Sequence, residues 1–238
     1  MLKQIFSRTL PLLATIIVCI AGIMLGNWQT RRAQEKENIA LQIEQQAKLP
    51  SALIDANQLT MPRAFQRIHL RGQFIQQWPL YLDNRPMNGK VGMVALMPFQ
   101  LSESNKAVLV ARGWFQRDLK ERTKIPRLEI PNGEIEIAGI VRQHLDRSMQ
   151  LGADEIITPG SILQNLSSAE VAATLKLDMP EWVLEQTSTQ GEGLQRDWPV
   201  PSNGADKHRA YAFQWYGLTV MAFLFFVVTG IRRGKHTK

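Results

Sequence analysis

Residues 210–231 read AYAFQWYGLTVMAFLFFVVTGI, a run of 22 residues without a formal charge. At about 1.5 Å per residue, a helix of this length spans roughly 33 Å, enough to cross the hydrocarbon core of a bilayer. Residues 9–30, TLPLLATIIVCIAGIMLGNWQT, form a second uncharged run of 22 residues. The sequence therefore predicts a membrane protein with transmembrane helices at 10–30 and 210–231, flanking one domain over 31–209.

The first run also has features of a signal peptide, because Lys3 and Arg8 precede it. It lacks an A-x-A cleavage site, and Val18 before Cys19 is unsuited to a lipoprotein signal. We therefore favour an uncleaved anchor.

The basic charge of the chain lies at its two ends. Of the net charge of +7, the tails 1–9 and 232–238 hold +6 and residues 31–209 hold +1. Binding to nucleic acid thus loses its main support, whereas basic tails are typical of the cytoplasmic flanks of membrane spans. We predict cytoplasmic tails and an external domain. Five basic residues near the other ends of the runs weaken this assignment: Arg31, Arg32, Lys36, Lys207 and Arg209.

Motifs for catalysis are missing from the sequence. The single cysteine, Cys19, lies inside the first run, so the domain has neither a disulfide of its own nor a C-x-x-C site. There is no G-x-S-x-G, H-E-x-x-H, P-loop or C-x-x-C-H motif. We predict that the protein is not an enzyme. A membrane-tethered enzyme would require a polar cluster in the domain that the sequence pattern does not reveal.

The domain pattern predicts an α+β fold with a mainly antiparallel sheet. Residues 31–48 are rich in helix formers and extend the first span until Pro50. Apolar and polar residues alternate around 68–74 and 135–142, as in half-buried strands. Two further runs, VGMVALMPF from Val91 and AVLVA from Ala107, are typical of strands buried on both faces.

Turn and cap signals divide these elements. Asn88-Gly89 predicts a hairpin turn between 79–83 and 91–97. Ser167-Ser168-Ala169-Glu170 predicts a capping box at the start of a helix. The glycines and prolines of 186–207 predict a loop that returns the chain to the membrane.

His208 differs from the other histidines in its position, about one turn before the second run. Tyr211 and Trp215 follow at i+3 and i+7 on the same helical face. This face suits haem at the membrane boundary, with the imidazole on iron and basic neighbours such as Arg209, Lys207, Arg31 or Arg32 near the propionates. An ordinary aromatic belt explains the same pattern, and spacing alone favours that belt. For His69 and His144 we expect exposed or locally hydrogen-bonded rings.

Four sequence blocks, in order, resemble the signature blocks of the Surfeit locus protein 1 family. They are Leu25–Arg32 with Lys36, Leu82–Pro86, Val108–Trp114, and His208 with Tyr211–Trp215. The resemblance covers nearly the whole chain. It is weakest over 154–186, which holds no block, and at 204–207, which depart from the asparagine-rich approach of the family.

The resemblance implies an assembly factor for haem-copper cytochrome c oxidase in the bacterial inner membrane, with its central domain in the periplasm. It implies binding of haem A, transfer to oxidase subunit I, and further partners among the enzymes of haem A synthesis. His208 corresponds to the family histidine and is the expected iron ligand. The residues expected to contact the cofactor are His208, Tyr211, Trp215, Arg209, Trp28 and Gln214. A docking scaffold for oxidase subunits that binds no cofactor is the alternative.

The remaining block residues have two open interpretations. Arg85 precedes Pro86, and Arg112 lies at the end of a strand, places that can present a guanidinium to a carboxylate. Salt bridges that fix the domain on the helices explain them equally well. Partner-contacting or structural roles are thus predicted for five residues: Arg31, Arg32, Arg85, Arg112 and Trp114. Trp28 and Trp215 are expected at the same outer interface, where they could close a pocket.

Overall fold

The computed structural model describes residues 2–59, 62–148, 156–189, 193–199 and 204–235. The chain forms two compact units, Met1–Leu41 with Pro201–Lys238, and Gln42–Val200. We call the first unit the helix pair and the second the β-rich domain. Parts of the predicted return loop, 190–192 and 200–203, and the end of the basic tail, 236–238, lie outside the described residues.

The α-helices of the described residues are α1 (Leu2–Ala47), α2 (Ser168–Leu175) and α3 (Ala205–Lys235). Thr9–Ala47 of α1 and Ala205–Arg232 of α3 are long and apolar enough to cross a membrane. Large apolar side chains on both helices, such as Ile17, Met24 and Phe225, point outward. The prediction of a membrane protein with two transmembrane helices is confirmed, and both helices continue beyond the uncharged runs.

Glycines let α1 and α3 approach closely. A Cβ added at Gly22 would collide with the Thr219 hydroxyl, and one added at Gly26 would collide with the Tyr216 ring. These two glycines form a G-x-x-x-G pattern, which typically marks close contact between membrane helices. The helix pair therefore depends on small residues at its interface.

The β-rich domain contains one mixed sheet, described over eight strands. They are β1 (Ala52–Leu53), β2 (Arg67–Phe74), β3 (Leu80–Leu82), β4 (Gly92–Leu101), β5 (Ala107–Gln116), β6 (Ile135–Arg142), β7 (Ile162–Leu163) and β8 (Val183–Gln186). Five strands close into a ring in the order β2-β6-β8-β5-β4, because the end of β2 also pairs with β4. The pairs β1–β2, β3–β7 and β5–β8 are parallel and the others antiparallel, so the predicted α+β, mainly antiparallel fold is confirmed.

The core explains why β4 and β5 are buried on both faces, as predicted. Val108 and Val110 of β5 join one apolar cluster with Ile68 of β2. Leu109, on the opposite face of β5, joins a second cluster with Val171 of α2. Alternate residues of one strand thus serve two cores.

The predicted hairpin turn and the predicted capping box are both confirmed. Asn88 and Gly89 have φ of 50° and 76°, as a tight hairpin turn requires, and they connect β3 to β4. Ser167 caps α2, with the reciprocal bonds of a capping box to Glu170.

Candidate functional site

His208 lies on α3 and faces α1. Its Nδ1 is 2.7 Å from Oε1 of Gln29. A carbonyl oxygen only accepts, so Nδ1–H donates and the neutral ring carries its lone pair on Nε2. In the part of the chain that the structure describes, Nε2 makes no hydrogen bond. Histidines that bind metals typically have one nitrogen fixed in this way by an oxygen acceptor.

Two of the basic residues predicted near the propionates are engaged in ion pairs. Arg209 lies 2.7 Å from Glu37, and Arg32 lies 2.8 Å from Glu35. Surface ion pairs of this kind contribute about 0–1 kcal/mol to stability. An incoming carboxylate can therefore replace Glu35 at Arg32 or Glu37 at Arg209. Arg31 is exposed and forms no ion pair among the described residues. Arg31 is therefore an accessible cation on α1 at this level.

An open apolar groove of about 750 Å³ runs along the helix pair below His208. Trp215 lies at its upper end, seven residues or about 10 Å along α3 from His208. The other lining residues are apolar or small: Val18, Ala21, Gly22, Leu218, Thr219, Met221, Ala222, Leu224 and Phe225. The groove offers an apolar surface that begins about two helical turns from the His208 imidazole.

The structure brings together only some of the aromatic residues predicted for the site. Trp215 lines the groove, whereas Tyr211 and Trp28 are 53% and 45% exposed and are absent from its lining. Gln214 is also exposed. Their roles in cofactor binding stay predictions.

Tyr216 makes polar contacts across the helix pair that no sequence motif predicts. The Tyr216 hydroxyl donates to Oδ1 of Asn27 at 2.8 Å and lies 3.4 Å from Thr30. Asn27 and Gln29 are polar residues at the end of an apolar run. Their position at the end of this run indicates that they need polar partners. Which residue of α3 each one contacts depends on the register between α1 and α3.

Arg85 is bound inside the β-rich domain. Its guanidinium donates to the backbone carbonyls of Asp83, Asn84, Asp146 and Gln164, at 2.8 to 3.4 Å. Burial lowers the pKa of Arg85 below its ordinary value, although nearby carboxylates oppose this shift. Arg85 therefore ties three chain segments together through their carbonyls, rather than through a carboxylate.

Arg112 and Trp114 are buried core residues, each 1% exposed. Arg112 donates to the Glu129 carbonyl at 2.7 Å, and its guanidinium lies 4.9 Å from the centre of the Phe74 ring. The Trp114 indole donates to the Arg85 carbonyl at 2.6 Å. The described contacts of both residues stabilise the domain.

A charged cluster surrounds Asp83 in the same loop. Its carboxylate accepts from Arg117 at 3.2 Å, from Arg122 at 3.0 Å and from the Asn84 N–H at 2.7 Å. Burial alone would raise the pKa of Asp83, but these hydrogen bonds and positive charges outweigh burial and hold the pKa below its ordinary value. No local sequence pattern indicates this cluster, because Arg117 and Arg122 are distant from Asp83 in the chain.

Most of the chain is similar to known proteins of one family. The model of the SURF1 family matches residues 16–220. A SURF1-like protein of Rickettsia felis is 27% identical over 223 residues, which cover 91% of this chain and 95% of the relative. A SURF1-like protein of Rickettsia bellii is 26% identical, covering 87% and 85%. The yeast cytochrome oxidase assembly protein SHY1 is 21% identical, covering 59% of this chain and 38% of its own length.

Proposed function

The chain belongs to the SURF1 family, and we propose that it is a membrane-bound assembly factor for cytochrome oxidase. The family resemblance inferred from the four sequence blocks is confirmed. The name of the yeast relative states such an assembly role for that protein. We propose further that this chain binds haem A at His208 and helps to deliver it to oxidase subunit I.

The observation that carries the haem proposal is the Gln29–His208 hydrogen bond above the apolar groove. The bond holds the ring so that Nε2 carries the lone pair, which is the form that coordinates iron. The apolar lining of the groove would accept the hydrocarbon parts of the ligand. A polar ligand atom and an apolar surface thus occur along one face of the helix pair.

The proposal assigns separate tasks to the surrounding residues. Trp215 would contact the ring system from the upper end of the groove. Arg31 and Lys207 are exposed cations that could meet the propionates, and Arg209 could do so by leaving Glu37. Haem A is cargo in this proposal, so the residues bind and release it without making or breaking a covalent bond.

The proposed orientation of the protein rests on its tail charges. Residues 1–9 and 232–238 are basic and lack acids, which favours the cytoplasm for both tails. We propose that the protein lies in the bacterial inner membrane with the β-rich domain in the periplasm. His208 then lies near the outer surface of the membrane.

Haem titration of the detergent-purified protein tests the proposed site. The wild-type protein should shift the absorption spectrum of haem A at saturation near one haem per chain, and His208→Ala should abolish the shift. His144→Ala is the matched control, because His144 is an exposed histidine of the β-rich domain. Equal binding by His208→Ala and wild type would exclude His208 as the ligand.

Capture of the oxidase tests the partner independently. Tagged wild-type protein should co-purify oxidase subunit I from membranes, and His208→Ala should retain that interaction. If neither protein binds haem but both capture subunit I, the protein is a docking scaffold. If wild type captures no oxidase subunit, the assembly role is contradicted.

A further inference from the structure

Three polar side chains of the β-rich domain form a chain of hydrogen bonds outside the helix pair. Ser51 Oγ lies 3.0 Å from His69 Nε2, and His69 Nδ1 lies 2.9 Å from Glu136 Oε1. A hydroxyl, an imidazole and a carboxylate connected in this order are the recognisable elements of an activated serine.

The directions of the hydrogen bonds in this group follow from the partners of His69. The Glu136 carboxylate only accepts hydrogen bonds, so His69 Nδ1–H must donate to it. The neutral ring then presents its lone pair at Nε2, and the Ser51 hydroxyl donates to that nitrogen. Removal of the Ser51 proton by His69 therefore requires no change of tautomer. The carboxylate stabilises the imidazolium that would form.

The backbone fixes all three residues. His69 lies on β2 and Glu136 on the adjacent strand β6, where Glu136 pairs with Arg71. Ser51 directly precedes β1, which pairs with β2, and the Ile54 N–H donates to the His69 carbonyl at 3.0 Å. Arg71 lies 3.6 Å from the second oxygen of Glu136 and adds a positive charge beside the carboxylate. Strand pairing thus preorganises the group, as a reactive site requires.

The group is also open to a ligand. Ser51 is exposed, and the His69 side chain is one-third exposed. Leu53, on the same side of the strand as Ser51, leaves half of its surface uncovered. An apolar acyl group could rest on Leu53 while its carbonyl carbon reaches Ser51.

We propose that Ser51 is a nucleophile that accepts apolar acyl groups from activated esters. The Ser51 Oγ–carbon bond forms as the ester bond to the leaving oxygen breaks. The proton of Ser51 passes to His69 Nε2 and then to the leaving oxygen, so the products are acylated Ser51 and an alcohol. Ser51 and His69 are the catalytic residues, and Glu136 is a positioning residue.

Acylation by p-nitrophenyl butyrate tests this proposal on the full-length protein in detergent. We expect release of p-nitrophenolate and a butyryl adduct on the peptide that contains Ser51, identified by mass spectrometry. Ser51→Ala should lose that adduct. His69→Gln should form the adduct at least about 10²-fold more slowly than wild type. Glu136→Gln should slow acylation, and Glu136→Asp should restore part of the rate.

Ser102→Ala provides a matched control. Ser102 donates directly to the Glu134 carboxylate at 2.7 Å, a contact without an intervening imidazole in the described structure. This variant should react like wild type. Absence of a Ser51 adduct in correctly folded wild-type protein would overturn the proposal, as would equal rates in wild type and His69→Gln. Thermal melting of each variant verifies folding.

Discussion

The helix pair and the β-rich domain each hold one histidine by its Nδ1, but they use different acceptors. In the helix pair the acceptor is the neutral amide of Gln29, and Nε2 of His208 has no hydrogen bond in the described structure. In the domain the acceptor is the Glu136 carboxylate, and Nε2 of His69 contacts a hydroxyl. These acceptors underlie our proposals that His208 binds a metal in one unit and that His69 acts as a base in the other.

The two units also differ in what stabilises them. The domain depends on buried side chains, including Trp114 and Arg112, packed around a closed ring of strands. The helix pair depends on the absence of side chains at Gly22 and Gly26. Substitutions can therefore test the stability of the domain separately from the ligand binding that we propose for the helix pair.

The largest expected effect is on the domain. Trp114→Ala removes a 1% exposed indole and its hydrogen bond to Arg85, and it should destabilise the domain by about 3–5 kcal/mol. Thermal unfolding in detergent, followed by tryptophan fluorescence and circular dichroism, measures this loss. At temperatures where the variant domain stays folded, haem binding should match wild type. A loss below 1 kcal/mol would contradict the packing account.

A glycine substitution should affect the helix pair instead. Gly26→Ala forces a Cβ against the Tyr216 ring, and overpacking of this kind costs about 1–3 kcal/mol. We expect weaker haem binding because separation of the helices moves Gln29 away from His208. Gly217→Ala is the control, since a Cβ there meets open space. Equal haem affinities of the two variants would argue against a site built from both helices.

The acceptor of His208 can be removed alone. Gln29→Leu deletes the oxygen that fixes Nδ1 and leaves an apolar side chain that is one atom shorter. Loss of such a support typically lowers metal affinity about 10- to 100-fold. Haem titration should show this decrease, whereas Gln29→Glu should retain much of the affinity because it keeps an oxygen acceptor. An unchanged affinity of Gln29→Leu would show that the hydrogen bond does not prepare the ligand.

The smallest expected effect concerns acid stability of the domain. The pKa of Asp83 is lowered in the folded state by its hydrogen bonds and by Arg122 and Arg117, although burial opposes this shift. Its contribution to stability is thus present above the unfolded pKa of about 4 and is lost as the pH falls through the folded pKa. Asp83→Asn should lower the melting temperature at neutral pH, with the difference from wild type shrinking in acid. A difference independent of pH would exclude the charge as its cause.

The sequence predicts elements better than it predicts their partners. Uncharged runs predict α1 and α3, and apolar runs predict β4 and β5, because burial imposes these patterns locally. Ring closure through β2 and β4 depends on pairing across distant chain segments, which no local pattern records.

Contacts at the candidate sites also depend on distant chain segments, so the sequence predicts the residues but not their partners. The position of His208 follows from the sequence, but Gln29 as its acceptor depends on the register between two helices. Arg85 and Arg112 could be recognised as block residues, whereas their carbonyl acceptors belong to distant loops. The predicted exposed or locally hydrogen-bonded state of His69 agrees with the structure. Its contact with Ser51 arises only when β1 pairs with β2.

Absorption spectra of protein purified in detergent from cells that synthesise haem A test the central proposal most directly. Wild type, His208→Ala and His69→Ala should be recorded side by side at equal protein concentration. We predict a haem spectrum in wild type and in His69→Ala, and its loss in His208→Ala. An undiminished haem spectrum in His208→Ala would contradict the assignment of the cofactor to the helix pair.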